Sequence, residues 1–128
     1  GKQKYENELV NPASDIKEAA KIGLMYVSDY SYAADPSYWM TQMYREDDAQ
    51  DYRLAATSNW MYMGLYEWTI SRNSGNTDFS FLVHTTGYVG DSRVNTDFNA
   101  VRPVFYLNSN VAYDSGIGTI VDPIRLSA

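Results

Sequence analysis

Residues 68–83, WTISRNSGNTDFSFLV, decide the fold. They read as a strand that stops, passes through small polar residues and resumes as a strand, which is the pattern of a hairpin. A turn of this kind needs only two to five polar residues, and residues 73–76 supply them, yet the polarity continues to Asp78. In the second arm, strict alternation places Phe79, Phe81 and Val83 on one side and Ser80, Leu82 and His84 on the other.

Working outward, strand character extends from Trp60 to the C-terminal end. NWMYMGLYEWTIS leads into the hairpin, TGYV reads as a turn plus strand, and AVRPVFYL is an apolar run interrupted by Pro103. NVAYDSGIGTIVDPIRL closes with a Gly-rich loop and a last extended segment. Toward the N-terminus the character is helical. Residues 1–11 are polar and peripheral. Asn11 and Pro12 open a short helix with Ile16, Ala19 and Ala20 on one face, ending near Gly23. LMYVSDYSYAA reads as a brief strand turning at SDYS. DPSYWMTQMYRED reads as a second short helix capped by Asp35, with Pro36 at its first position. DDAQDYRLAATS is a solvated acidic connection or a weak helical turn. Helices followed by a meander of short strands predict an α+β domain over residues 1–128, with residues 60–126 as its strand-rich half.

Composition bounds the function. The 128 residues suit one core, and 45% hydrophobic with 12 Tyr and 3 Trp is too rich in rings for a disordered chain. The formal charge of -6 argues against nucleic acid and anionic membranes, which require clustered Lys and Arg. Cysteine is absent, which removes disulfides, thiolate metal sites and a cysteine nucleophile. No apolar run reaches the roughly 18 residues of a membrane helix. The chain opens on Gly1 rather than Met, so the lack of an export signal carries no weight.

Motifs of catalysis are sparse. The single histidine, His84, reads as an ordinary strand residue, and no nucleophile elbow, phosphate-binding Gly loop or zinc helix motif is present. Glu67, between Tyr66 and Trp68, is the best candidate for glycosidase-type acid work, since ring surroundings would raise its pKa; the alternative is a solvent-facing strand residue. Residues 46–51, EDDAQD, lack the spacing of a calcium loop and read as a hydrated turn. The three Trp residues read as core anchors rather than sugar platforms. Two polar intervals remain, one around Asn73, Asn76 and Asp78, the other around Arg93, Asn95 and Asp97, with Tyr88 between them. Small polar residues with occasional Tyr and Arg are typical of recognition surfaces and equally of turns between short strands.

KIGLMYVSDYSYA, NWMYMGLYEWTISR and AVRPVFYLNSNVAYDSGIGTIVDPIRL together resemble a family of domains in surface and prepilin-like proteins exported by gut Firmicutes. The layout of a Trp-centred strand, a polar stretch, a Gly turn at Thr86, Gly87 and Tyr88, a second polar stretch and V-R-P-V-x-Y-L at residues 101–107 is similar to the C-type-lectin-like fold, in its formylglycine-generating-enzyme-like branch that includes retroelement variable proteins. The resemblance implies two short helices packed on a small, mostly antiparallel twisted sheet. It implies framework roles for Trp60, Trp68, Arg102 and Pro103, and ligand-facing roles for Asn73, Asn76, Asp78, Tyr88, Arg93, Asn95 and Asp97. The calcium-binding E-P-N or Q-P-D loop and the W-N-D triplet are missing, as is the cysteine of the enzymatic branch.

The expectation is therefore a non-enzymatic, extracellular or cell-surface binding module for a protein or glycan ligand, with no cofactor and no metal. An alternative is a pilus or cell-wall assembly subunit that self-associates, and a third reading is a carbohydrate-active enzyme using Glu67.

Overall fold

A computed structural model describes residue 6 and residues 20–41, 43, 51–96 and 98–127. The helix expected from Asn11 lies largely outside the described residues, as do the acidic run 46–50 and Asp97. The described residues form an α+β arrangement with two short helices and antiparallel sheets.

The chain enters through β1 (Gly23–Leu24) and turns at once into α1 (Val27–Tyr32). The expected brief strand is present at Gly23–Leu24, and the SDYS stretch expected to turn is a helix instead. Its start is secured by Asp29, whose carboxylate accepts from the Tyr26 amide at 2.8 Å, and by Ser71, whose hydroxyl accepts from the Val27 amide at 3.0 Å. These bonds satisfy amides that a helix end leaves open, and helical spacing then buries Val27 and Tyr30 together. Tertiary burial outweighs the strand propensity of a Val- and Tyr-rich segment.

Asp35 caps a single 3-10 turn, Pro36–Tyr38, by accepting from the Ser37 amide at 2.9 Å. The cap and the proline were legible; the longer helix beyond them is not present through Thr41. α2 (Asp51–Thr57) buries Tyr52, Ala55 and Ala56.

The hairpin forms as read. β2 (Glu67–Arg72), β3 (Phe79–Val83) and β4 (Val89–Arg93) make an antiparallel sheet in that order. Phe81 and Val83 face inward and join Met25, Val27, Tyr30, Ala33, Met43, Ala55, Met61 and Val89 in the core, while Leu82 and His84 leave by the outer face. β2 is irregular: the register shifts between Trp68 and Arg72. Ser80 compensates, its hydroxyl reaching the carbonyls of Thr69 and Ser71 at 3.1 and 2.9 Å. β5 (Pro103–Val104) pairs with β1, so Pro103 stands in a two-residue strand opposite Leu24.

After β5 the apolar run is exposed rather than buried, with Phe105, Tyr106 and Leu107 all facing out. β6 (Ala112–Ser115) and β7 (Arg125–Ser127) then pair with each other as a hairpin that makes few contacts with the other elements.

The rings are distributed differently from expectation. Tyr30, at 0% exposure, and Tyr52 anchor the core, whereas Trp60 is 79% exposed and Trp39 also reaches solvent. The Trp60 amide donates to the Ala33 carbonyl at 3.4 Å. Tyrosine suits this core where its hydroxyl finds an acceptor: Tyr30 donates to the Gly87 carbonyl at 3.1 Å and the half-buried Tyr62 to the Thr85 carbonyl at 2.6 Å.

Candidate ligand-binding face and cleft

The turn between β2 and β3 is built by side chains folding onto their own backbone. Asn73 Oδ1 accepts from the Gly75 amide at 2.8 Å, and the Asn73 amide donates to the Phe79 carbonyl at 3.1 Å. Asn76 repeats the device more loosely toward the Asp78 amide, 3.4 Å away. Such Asx turns explain why the stretch is so polar.

Antiparallel pairing then brings the second polar stretch to the same end. Phe79 lies opposite Arg93, and the Val94 amide donates to the Asp78 carbonyl at 3.0 Å. Asn73 Nδ2 donates to Asp91 Oδ2 at 2.6 Å, closing the link between the stretches. Thr96 folds back on the Arg93 carbonyl through both its amide and its hydroxyl, the latter at 2.8 Å. Asn76, Asp78, Arg93 and Asn95 are exposed here, with the Arg93 guanidinium 5.9 Å over the Phe79 ring. Five of the seven expected ligand-facing residues therefore share one end of the sheet, and Asp97 lies outside the described residues.

Tyr88 is the exception. It precedes β4 and sits at the opposite end, about 17 Å from Arg93 at 3.3 Å per strand residue. There it stacks on His84, with ring centroids 4.3 Å apart and planes inclined by 26°, and meets the edge of Tyr52. Tyr66 closes on the His84 ring at 4.2 Å. The two ends are joined by a cleft of about 550 Å³ on the outer face of β3 and β4. Leu82 and Gly90 form its floor, Tyr66, His84 and Tyr88 one end, and Ser92, Thr96, Phe98 and Asn99 the other. The wall that carries Phe98 is held where Ala100 bridges back to the start of β2, donating to the Tyr66 carbonyl at 2.6 Å and accepting from the Trp68 amide at 3.0 Å.

His84 was legible as a strand residue on the face of Ser80 and Leu82; its partnership with Tyr66 and Tyr88 was not, because those rings come from separate loops. The period-two pattern was the one signal that placed Leu82 and His84 on this face.

Glu67 does not face the cleft. It is 3% exposed and faces inward with Thr69 and Ser71, where Arg102 forks onto it, Nε to Oε1 at 2.5 Å and a terminal nitrogen to Oε2 at 2.9 Å. The same nitrogen donates to the Met61 carbonyl at 2.9 Å. Burial pushes the Glu67 carboxyl up and the Arg102 guanidinium partly holds it down. The ion pair joins β2, the Met61 loop and the approach to β5.

Among the described residues no three His, Asp or Glu side chains gather as a metal site, and no helix is long and apolar enough to cross a membrane. No family model, curated protein or solved structure matches the chain.

Proposed function

We propose that the chain is a non-enzymatic binding module, C-type-lectin-like in architecture and extracellular or surface-displayed, that presents polar and aromatic loops to a protein or glycan ligand. The Asn73–Asp91 bond is the observation that carries this reading, since it ties two polar stretches into one contact face before any ligand arrives. Fixed backbone at both stretches leaves little ordering entropy to lose on binding. Asn76, Asp78, Arg93 and Asn95 supply donors, acceptors and both charge signs there. The polar face needs no metal or cofactor for such contacts.

The test is a glycan and host-protein array probed with the wild-type chain and with Asn76→Ala/Arg93→Ala/Asn95→Ala. These side chains are exposed and hold only a loose turn bond at Asn76 and a ring contact at Arg93, so the variant should lose little melting temperature and all of the array signal. Undiminished binding by the variant overturns the assignment of the face.

A second reading, an assembly subunit that contacts copies of itself, is favoured by the β6–β7 hairpin. Tyr113, Ile117, Ile120 and Val121 are exposed on it, Ile120 fully. Residues 105–127 hold two Asp against one Arg, a net -1 of the chain's -6, so copies meeting there escape most of the mutual repulsion. Sedimentation across a concentration series tests it: a reversible dimer or polymer that Ile120→Asp/Val121→Asp abolishes supports assembly, and a monomer throughout excludes it.

A further inference from the structure

The outer-face cleft has a chemical character distinct from the rest of this acidic chain. Among its described lining residues, Asp91 alone carries a formal charge. Asp91 stands directly opposite Phe81 in the β3–β4 register, so its side chain leaves by the core-side face, where it bonds Asn73. The residues whose side chains share the cleft face are rings, a leucine, and short hydroxyl or amide groups. Gly90 lets the Tyr88 ring lie against the strand, because a Cβ there would stand 2.9 Å from that ring.

We propose that this cleft seats an uncharged saccharide ring and does so without calcium. This rests on the reading of the chain as a binding module and names the ligand class of one part of its surface. Flat faces at Tyr66, Tyr88 and Phe98 match the C–H-rich face of a pyranose, and the His84–Tyr88 stack holds one of them in place beforehand. Ser92, Thr96 and Asn99 both donate and accept hydrogen bonds, as sugar hydroxyls do, and a ligand of either net charge finds no counter-charge among them. The volume of about 550 Å³ lies within the range of small-molecule sites and admits one or two sugar rings.

The experiment is a ¹H–¹⁵N NMR titration of the full chain with methyl glucoside, methyl galactoside and N-acetylglucosamine, with glucuronate and glucosamine as charged controls, all in EDTA. Neutral sugars are expected to shift the amides of Thr85, Tyr88, Ser92, Thr96 and Asn99 with a Kd on the order of 1 mM, the affinity expected for so few heavy atoms. Phe98→Ala removes a ring that is 94% exposed, so it should weaken binding at least tenfold without changing the melting temperature. Gly90→Val pushes the Tyr88 ring off its stack on His84 and should abolish binding, with unshifted Val27 and Met61 amides confirming an intact core.

Preference for a charged sugar, or binding that EDTA removes, overturns the ligand class while leaving the binding-module reading intact. Silence of the cleft amides toward every sugar, with an array ligand still engaging the face at Asn76 and Arg93, overturns the cleft proposal alone. Absence of both kinds of binding overturns the two together.

Discussion

Asn73 Nδ2 donates to Asp91 Oδ2 at 2.6 Å, across 18 positions of sequence, and so joins the β2–β3 turn to β4. Asn73 also accepts from the Gly75 amide, so one side chain shapes its own turn and anchors it to the neighbouring strand. Asn73→Ala should cost about 1–2 kcal/mol, the worth of a partly exposed hydrogen bond to a charged group plus a turn bond. A double-mutant cycle with Asp91→Ala should return a coupling of at least about 0.5 kcal/mol in chemical denaturation. Strict additivity would show that the two stretches are independent.

The Glu67–Arg102 pair predicts a larger effect. Removing one partner leaves a buried charge uncompensated, at a cost of about 3–5 kcal/mol. Arg102→Ala is therefore expected to lower the urea midpoint severely or to prevent folding. Glu67→Gln/Arg102→Met, which removes both charges and keeps the volumes, should recover most of the loss. Failure of the double variant to outperform Arg102→Ala would remove the ion pair from the framework.

Gly87 makes the β3–β4 turn possible. Its φ is +95°, and a Cβ placed there would run into the Ala56 side chain of α2. Gly87→Ala combines a strained backbone with overpacking, each about 1–2 kcal/mol, for roughly 3 kcal/mol in all. The loss should appear as a lower melting temperature, and an unchanged one would mean that the turn and α2 are not in contact.

Alkali should destabilise the fold through Tyr30. Burial, with smaller contributions from Tyr62 and Glu67, pushes its phenol well above the usual range. A folded-state pKa above the unfolded value of about 10 gives a contribution fully present below that pH and lost as pH rises toward the folded value, because the unfolded chain ionises first. Stability measured between about pH 8 and about pH 11 should fall at the upper end, and Tyr30→Phe should flatten that fall after a fixed loss of about 1 kcal/mol for the Gly87 hydrogen bond. An identical slope in the variant would contradict the assignment to Tyr30.

The parts of this architecture that were legible are those set by local period and turn chemistry. The alternation in DFSFLVHT separated Phe81 and Val83, which join the core, from Leu82 and His84 on the opposite face, and the polar run from Asn73 predicted the hairpin. The features that were not legible depend on distant partners. α1 forms where a turn was expected, its start held by Ser71, forty-four residues on, which accepts from the Val27 amide. Trp60 reads as a core anchor by residue type, yet tyrosines fill that core because acceptors at Gly87 and Thr85 lie within their reach. The candidate site divides in the same way. Pairing between β2, β3 and β4 gathers Asn73, Asn76, Asp78, Arg93 and Asn95, while Tyr88, close to Arg93 in sequence, is carried to the far end by the length of β4. Glu67 looked like an isolated carboxyl among rings until Arg102, thirty-five residues away, was placed against it.

Chemical-shift mapping of the first ligand found by array screening tests the central claim most directly, because it reports where on the molecule binding occurs. Perturbations should concentrate on residues 73–78 and 93–96 and along the adjoining cleft. Perturbations confined to the β6–β7 hairpin, with that end of the sheet unmoved, would contradict the claim that the two linked polar stretches form the contact face.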